Sequence, residues 1–301
     1  MTASARRVPG RGVRAALVAT AFGAFATTAS GQAWAPPAGV GSVSLLFQHV
    51  DHTSHFLADG SKLNGYDSVS WGALLAIDYA FTDRLSATAG VSYVGAKYIG
   101  PEPSFFAVEN DECHCWNTGW QDAGFTLRYN VLNGAVALTP SVSYGLPTHA
   151  YPYVGEAVLG RRLHELRLGL DAGWRLDPLT SRLSVYGRYS YAFVEKVADL
   201  NLDRSDLQLS LLYQFHPRLS ASVDVYSQWT HGGLRSTEFT TDEQWAEYDR
   251  IVKDNFFHIG ATLIYSFKAL DVWVSYIDFV SGTDTHQGRA ISVGIGFPFQ
   301  L

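Results

Sequence analysis

The chain ends in "ISVGIGFPFQL", residues 291–301, in which every odd position carries a large apolar side chain. The residues between them are serine, glycine, proline and glutamine, which are small or polar. An alternation with a period of two predicts a β-strand that has one apolar and one polar face. Because the ends of a chain are usually poorly ordered unless a sheet holds them, we expect this last strand to be paired along its whole length.

The beginning of the chain has the composition of an export signal. Four arginines and no acidic residue lie in residues 1–14, an apolar run follows from Ala15 to Ala29, and small residues end the segment. The order basic, apolar, small is typical of a secretory signal peptide. The apolar run is shorter than the roughly 20 residues that a membrane anchor needs. We predict a signal peptide over residues 1–33, with cleavage after Gly31 or Ala33, and one domain over residues 34–301.

The charge of the exported part excludes some functions. The sequence has 22 basic and 28 acidic residues, a net charge of −6. Four of the arginines belong to the predicted signal peptide, so that 18 basic residues face 28 acidic ones and the net charge becomes −10. An acidic exported protein is a poor nucleic-acid binder, and we expect no nucleic-acid partner. The two cysteines, Cys113 and Cys115, are too few for a disulfide framework.

The alternation seen at the end recurs along the chain. Its apolar positions fall into twelve segments, an even number, over residues 43–47, 69–79, 85–93, 123–131, 136–144, 166–174, 183–193, 207–215, 219–229, 257–267, 272–276 and 291–301. Short connections alternate with longer ones, and the longer ones are residues 51–67, 98–119, 147–163, 195–205, 231–254 and 281–288. Short periplasmic turns and long external loops are typical of barrels in the bacterial outer membrane.

Aromatic residues lie near both ends of these segments on the apolar face, as expected for the two interfaces of a bilayer. A sheet can cross hydrocarbon only if it closes on itself and pairs all its backbone groups. We therefore predict an all-β fold, a twelve-stranded antiparallel transmembrane β-barrel of the outer membrane of a Gram-negative-type bacterium, surrounded by its lipid. Pro140 and Pro298 cannot donate to a ladder, and Trp273 falls on the inner face, so we expect a bulge or a change of register there.

Two stretches carry a family resemblance. "QDAGFTLRYNVL" at 121–132 and "LTPSVSYGLPTHAYPYVGEAVLGRRLHELRLGLDAGWRL" at 138–176 resemble the central part of a family of bacterial outer-membrane proteins named for the meta-cleavage pathway of phenol degradation. Thr148-His149 stands where that family continues Pro-Thr with glycine. The resemblance implies an outer-membrane channel or transporter for small solutes, with hydrophobic or aromatic compounds as candidates. It also implies that the barrel assembly machinery recognises the C-terminal strand.

The function of such a barrel depends on its interior. Eight strands leave an interior that side chains fill, sixteen or more leave an open channel, and twelve lie between. Charged residues on the polar face of the strands are expected to line the pore, namely Asp122, Arg128, Arg167, Asp171, Arg175, Arg188 and Asp224. The alternative is that opposite charges pair across neighbouring strands and fill the interior, since an unpaired buried charge is costly. Our main hypothesis is passive passage of small solutes, without a metal or another cofactor.

Two other functions are weighed against the channel. A barrel without conduction would have a structural or surface-interaction role. A barrel lipid hydrolase would need a nucleophile and a base within hydrogen-bond reach. The sequence shows no compact Asn-His-Ser grouping among its histidines, which lie mostly at loop edges, so we expect no enzymatic activity.

The loops contain two unusual motifs. Cys113-His114-Cys115 could bind a soft metal, yet such sites usually take ligands from two separated clusters, and a local disulfide or two free thiols is the simpler expectation. His49, Asp51, His52 and His55 could form a second half-site, which would require the two loops to meet. In the longest loop, Thr241 and Gln244 form the pattern of a helical capping box. Trp245, Tyr248 and Val252 would then share one face, either of a lid over the mouth or of a solvated loop helix.

Overall fold

The computed structural model describes residues 33–101, 109–176 and 182–301. The predicted signal peptide lies outside the described residues except for Ala33, and so does part of the predicted loop 98–119. No helix within the described ranges is long and apolar enough to cross a membrane.

The part of the chain that the structure describes folds into twelve antiparallel strands in one closed sheet. The strands are β1 Val40–Phe56, β2 Lys62–Ala80, β3 Leu85–Tyr98, β4 Asn117–Tyr129, β5 Val136–Pro147, β6 Glu165–Arg175, β7 Leu183–Val194, β8 Arg204–His216, β9 Leu219–Thr230, β10 Asn255–Ser266, β11 Asp271–Thr283 and β12 Thr285–Gln300. A two-residue strand segment, Leu132–Asn133, lies between β4 and β5 and pairs with the start of β5. Each strand pairs with its neighbours in the chain, and β12 pairs with β1, which confirms the predicted barrel and its strand number.

The seam between β1 and β12 is continuous. Its register runs from Val40 opposite Gln300 to Phe56 opposite Thr285, so the closing strand is paired to its end as the alternation predicts. Pro298 lies opposite Ser42 with no change of register there, and the irregularity of the seam falls higher, between His52 and Ser54. Pro140 keeps its register with Leu170 of β6, but the ladder on its other side is interrupted: Arg128 lies opposite Ser141 and Leu132 opposite Leu138, so three residues face two there. The expectation of an irregularity is therefore confirmed beside Pro140 and wrong for Pro298, which keeps its place in the register without donating an N–H.

Trp273 lies inside the barrel, as its position in the alternation indicates. It is buried in a small apolar group with Leu46 and Ile264. Its indole lies against Gly294 on the neighbouring strand, where a Cβ atom would come within 2.1 Å of the ring. The two residues are directly paired and the ladder has no shift there, so a slip of register is excluded. A glycine on the neighbouring strand, rather than a bulge, makes room for the tryptophan.

The outer face of the barrel is apolar. Leucines on successive strands, such as Leu168, Leu211 and Leu263, are about half exposed although they are large and hydrophobic. Aromatic side chains mark the periplasmic end of this face, where Trp174, Phe215 and Phe267 are all exposed. A band of exposed apolar side chains with aromatic residues at its rims is the surface that a bilayer covers.

Two hairpins are taller than predicted. The segments 51–67 and 281–288 are expected to be long loops, but β1 and β2 continue to a turn at residues 57–61, and β11 and β12 are joined through Asp284 alone, at φ 52°. The prediction of loops there is wrong because it relies on apolar outward residues. Beyond the hydrocarbon, outward positions are polar, as His49 and Asp51 are, and the pattern of period two disappears from the sequence while the strand continues.

The remaining external connections carry three short helices, α1 Glu109–Glu112, α2 Asp242–Ala246 and α3 Tyr248–Ile251, and a 3₁₀ turn at Ser236–Glu238. The predicted capping box is present. The Gln244 backbone N–H donates to Thr241 Oγ1 at 3.2 Å, and the Thr241 N–H donates to Gln244 Oε1 at 3.3 Å.

Candidate functional site

A cavity of about 340 Å³ lies inside the barrel. Its wall comes from β2–β9, and its described charged lining comprises four guanidinium groups and three carboxylates: Arg128, Arg167, Arg188, Arg204, Asp122, Glu165 and Asp206. Glycines, serines and threonines fill the spaces between them, and Leu74 adds an apolar patch. Small residues on the inner face keep the cavity open, because larger side chains at the same positions would fill a barrel of this size.

Asp206 lies at the centre of the charged wall. Its carboxylate accepts hydrogen bonds from the Arg167 guanidinium, the Tyr226 hydroxyl and, at 3.3 Å, the Ser190 hydroxyl. Arg167 also donates to Glu165 Oε2 at 3.2 Å, and Arg204 forms an ion pair with the other oxygen of Glu165. Positive and negative side chains of β6 and β8 therefore pair with each other across the barrel wall. This supports the alternative in which inward charges pair across strands.

A second group of charges lies closer to the periplasm. Asp171 is fully buried and accepts a hydrogen bond from the Tyr186 hydroxyl, while Arg188 Nε lies 3.9 Å from the same carboxylate. Arg128 Nη1 donates to Thr88 Oγ1 of the neighbouring strand β3 at 2.5 Å. Arg128 and Arg188 thus extend the charged surface along the cavity.

The seven predicted pore residues lie in different parts of the barrel. Asp122, Arg128, Arg167 and Arg188 line the cavity. Asp171 lies behind it. Asp224 accepts a hydrogen bond from Ser222 at 2.7 Å, outside the cavity lining, and Arg175 lies at the periplasmic rim. That any of them lines a conducting pore stays a prediction.

Arg204 and Asp206 line the cavity but are missing from the predicted set. The prediction starts the eighth strand at residue 207, whereas β8 starts at Arg204. Both residues continue the inward alternation of that strand, so extending the pattern by three positions would have found them.

The external connection between β5 and β6 folds into the barrel mouth. Its Tyr151 is fully buried, and the hydroxyl donates to Asp122 Oδ1 at 2.6 Å, directly above the cavity. Arg161 of the same connection pairs with Asp254, just before β10, at 2.8 Å with both side chains almost fully buried. We call this connection, residues 148–164, the inward loop.

Helices α2 and α3 pack on the inward loop. Trp245, Tyr248 and Val252 share a buried face against Leu163 of the loop and Val194 of the barrel wall. Tyr153 of the loop donates its hydroxyl to Glu247 at 2.8 Å. The alternative of a solvated loop helix is wrong, and the two helices with the inward loop form a cover over the mouth.

Buried carboxylates lie within this cover. Burial raises the pKa of Asp249 in α3 well above its usual value, the charge of Arg161 offsets part of that rise, and the carboxylate of Glu156 adds to it. Burial also raises the pKa of Asp111 in α1, next to the cover, although its Oδ2 accepts the backbone N–H of Glu156 in the inward loop at 2.7 Å. The cover and the helix beside it therefore hold acids that favour their protonated form.

A serine and a histidine meet on the outer side of the barrel wall. Ser205 Oγ lies 2.7 Å from His231 Nε2 and 3.0 Å from the Tyr189 hydroxyl, and the His231 ring stacks on Tyr191. The sequence, in which no compact Asn-His-Ser grouping is seen, does not predict this pair. Within the described ranges, however, no group is hydrogen-bonded to His231 Nδ1, so the orienting third member of a catalytic triad is not seen.

The loop motifs that suggested a metal have other structures. Cys113 and Cys115 form a disulfide with an S–S distance of 2.06 Å, so their sulfurs are not thiolate ligands. His52 and His55 point into the barrel and are buried next to His286, with ring centroids 4.7 and 5.2 Å from the His286 ring. Among the residues that the structure describes, no three His, Cys, Asp or Glu side chains are arranged to hold a metal ion.

Comparison with solved structures finds the same architecture. The crystal structure of the COG4313 outer membrane channel from Pseudomonas putida F1 is similar with a TM-score of 0.71 at 15% identity, and the match covers 91% of this chain and 100% of that chain. The beta domain of the Bordetella autotransporter Brka is similar with a TM-score of 0.51 at 11% identity, over 87% of this chain and 100% of the other. The translocator domain of the autotransporter NalP from Neisseria meningitidis has a TM-score of 0.50 at 12% identity, over 88% and 90%.

These likenesses show the fold, which is that of bacterial outer-membrane barrels. No family model matches the chain, and no curated protein matches it.

Proposed function

We propose that this protein is an outer-membrane channel for the passive passage of small solutes. The observation that carries the proposal is a closed barrel with an apolar outer face around a charged cavity of about 340 Å³. Charges inside a barrel can set the selectivity of a pore, whereas a purely structural barrel has no need of an open space beside them. The COG4313 protein of the same fold is described as an outer membrane channel, which supports the assignment.

The proposal includes export and insertion. Residues 1–33 contain the signal peptide with its two candidate cleavage sites, after Gly31 and after Ala33, and the chain beyond the cut forms the barrel, which the assembly machinery recognises by its C-terminal strand. That strand is paired to Gln300 and carries exposed Ile291, Val293 and Phe297 towards lipid, as a final barrel strand must.

The solutes that we propose are small and include hydrophobic or aromatic compounds. The family resemblance supports this class, and so does the apolar inner group of Leu46, Ile264 and Trp273, which packs against Leu74 of the cavity wall. An apolar wall opposite a charged one suits a solute with an aromatic body and a polar group.

Conductance across a planar bilayer tests the channel. The refolded protein should give discrete current steps, and vesicles that contain it should become permeable to small solutes. Heat-modifiable mobility on a gel serves as the control for folding. A folded barrel that gives no current and no permeability would contradict the proposal and favour a structural or surface-interaction role, in which the cover closes the mouth.

The Ser205–His231 pair supports lipid hydrolysis as a second candidate. The pair lies near the external end of β8, on the face that carries the lipid-facing Leu209 and Leu211. The assay is release of fatty acid from phospholipid vesicles, with Ser205→Ala as the matched variant. Release by the native protein that disappears in Ser205→Ala would establish the hydrolase, and equal release by both proteins would exclude Ser205 as its nucleophile.

A further inference from the structure

The segment before β1 runs across the periplasmic opening. At the seam it is fixed by Gly39, whose N–H donates to the Ala80 carbonyl and whose carbonyl accepts the Leu301 N–H, both at 2.9 Å. Its first described residues, Ala33 and Trp34, lie against β4 to β7 on the other side of the ring. We call residues 33–39 the strap.

Trp34 is seated on the inner wall. Its Nε1 donates to the Gly134 carbonyl at 2.9 Å, and the Arg175 guanidinium lies 4.9 Å from the centre of its ring. The indole lies so close to Gly173 that a Cβ atom there would be 2.4 Å from it. Only a glycine at this position leaves room for the ring, so wall and strap fit each other.

Ala33 is held more tightly still. It has no exposed surface, and its carbonyl accepts hydrogen bonds from Asn130 Nδ2 at 2.8 Å and from Thr139 Oγ1 at 2.7 Å. It packs with Tyr186, whose hydroxyl binds Asp171 of the charged network. The strap is therefore linked through Tyr186 to the charged group on the periplasmic side of the cavity.

We infer that the signal peptide is cleaved after Gly31, so that Ala33 stays in the mature protein, and that the strap narrows the periplasmic mouth. Cleavage after Ala33 would remove the carbonyl that accepts from both Asn130 and Thr139 and leave them only the hydrogen bond between Asn130 Nδ2 and Thr139 Oγ1, at 2.7 Å. The Thr139 hydroxyl and one N–H of Asn130 would then be buried donors without this acceptor, which costs stability. It would also place the new ammonium group of Trp34 beside the barrel wall. This inference rests on the export and conduction that we propose above.

Intact mass and N-terminal sequencing of the protein from outer membranes test the cleavage. The expected first residue is Gln32, free or cyclised. A mature chain that begins at Trp34 overturns the inference. A chain that still contains residues 1–31 overturns both this inference and the proposed signal peptide.

Cysteine labelling tests the position of the strap independently of conduction. In the intact barrel, the cysteine of Ala33→Cys should resist a small maleimide, whereas that of Ala38→Cys, at an exposed position, should react fully. The native cysteines form a disulfide and do not interfere. Equal reactivity of the two variants in a folded barrel overturns the inference that the strap lies against the barrel wall.

Conductance tests the narrowing. Trp34→Ala should raise the single-channel conductance about twofold or more, and Trp174→Ala, an exposed tryptophan on the outer face of β6, should leave it unchanged. Conductance of Trp34→Ala equal to that of the native protein overturns the narrowing. If neither protein conducts while Ala33→Cys is protected, the proposed channel fails and the strap stands as a plug.

Discussion

Replacement of Asp206 by asparagine should make the channel more selective for anions. The side chain keeps its shape, so the Tyr226 hydroxyl can still donate to it, but the Arg167 guanidinium loses its ionised partner. Arg167 then shares Glu165 with Arg204. The charged lining of the cavity changes from four guanidinium groups and three carboxylates to four and two.

The size of the effect follows from Coulomb's law. One unit charge about 5 Å from a permeating ion in a water-filled lumen contributes about 0.5–1 kcal/mol. This energy corresponds to a change of roughly two- to fivefold in the occupancy of each ion, because RT is about 0.6 kcal/mol. The signs are opposite for anion and cation, so the permeability ratio should change by about fivefold or more.

The assay is the reversal potential in a tenfold gradient of KCl across a planar bilayer. Asp206→Glu keeps the charge and is the matched control, and heat-modifiable mobility shows that each variant is folded. The difference should fade at about 1 M salt, where the screening length is about 3 Å. A reversal potential of the asparagine variant equal to that of the native protein at low salt, with clear conductance in both, would refute the assignment of the charged wall to the ion path.

Three further substitutions test other parts of the structure. Gly294→Ala forces a methyl group against Trp273 and should lower the free energy of unfolding in micelles by about 1–3 kcal/mol, with recovery when Trp273→Leu is added; no loss in denaturant titration would contradict the packing. Trp245→Ala removes a ring from the cover and should increase protease cleavage within 231–254 while the barrel itself stays heat-modifiable, which unchanged cleavage would disprove. Because burial raises the pKa of Asp249, the folded cover binds the proton more tightly than the unfolded chain does, so the cover should loosen as pH rises from about 4 through that raised pKa. Protease sensitivity between pH 4 and 8 should show this slope, and Asp249→Asn should reduce it to the part that Asp111 contributes.

The architecture of the barrel could be predicted because hydrocarbon constrains it so strongly. Because every lipid-facing position must be apolar, apolar residues alternate with a period of two in all twelve strands. Where the strands leave the bilayer the requirement ends, and the prediction fails at the same point: His49 and Asp51 lie on a strand but look like loop residues.

The interior was less predictable, since it depends on pairs from distant parts of the chain. Nothing in the sequence indicates that Arg167 contacts Asp206 or that Ser205 contacts His231. The strap is hidden for a different reason. A signal peptide can be recognised from its composition, but the segment just after it is short and has no regular pattern. Its position against the barrel wall is seen from the contacts of Trp34 with Gly134 and Gly173.

The seam joins the first and the last strand, and this has a consequence for how the molecule is made. Until the whole chain has crossed the inner membrane, the edges of β1 and β12 that form the seam are both unpaired. Each edge exposes a row of N–H and C=O groups, and such edges recruit other chains into aggregates. A chain that stops short of β12 would not form a smaller barrel. It would be an open sheet with two bare edges, unable to enter hydrocarbon, and its fate would be decided by periplasmic chaperones and proteases.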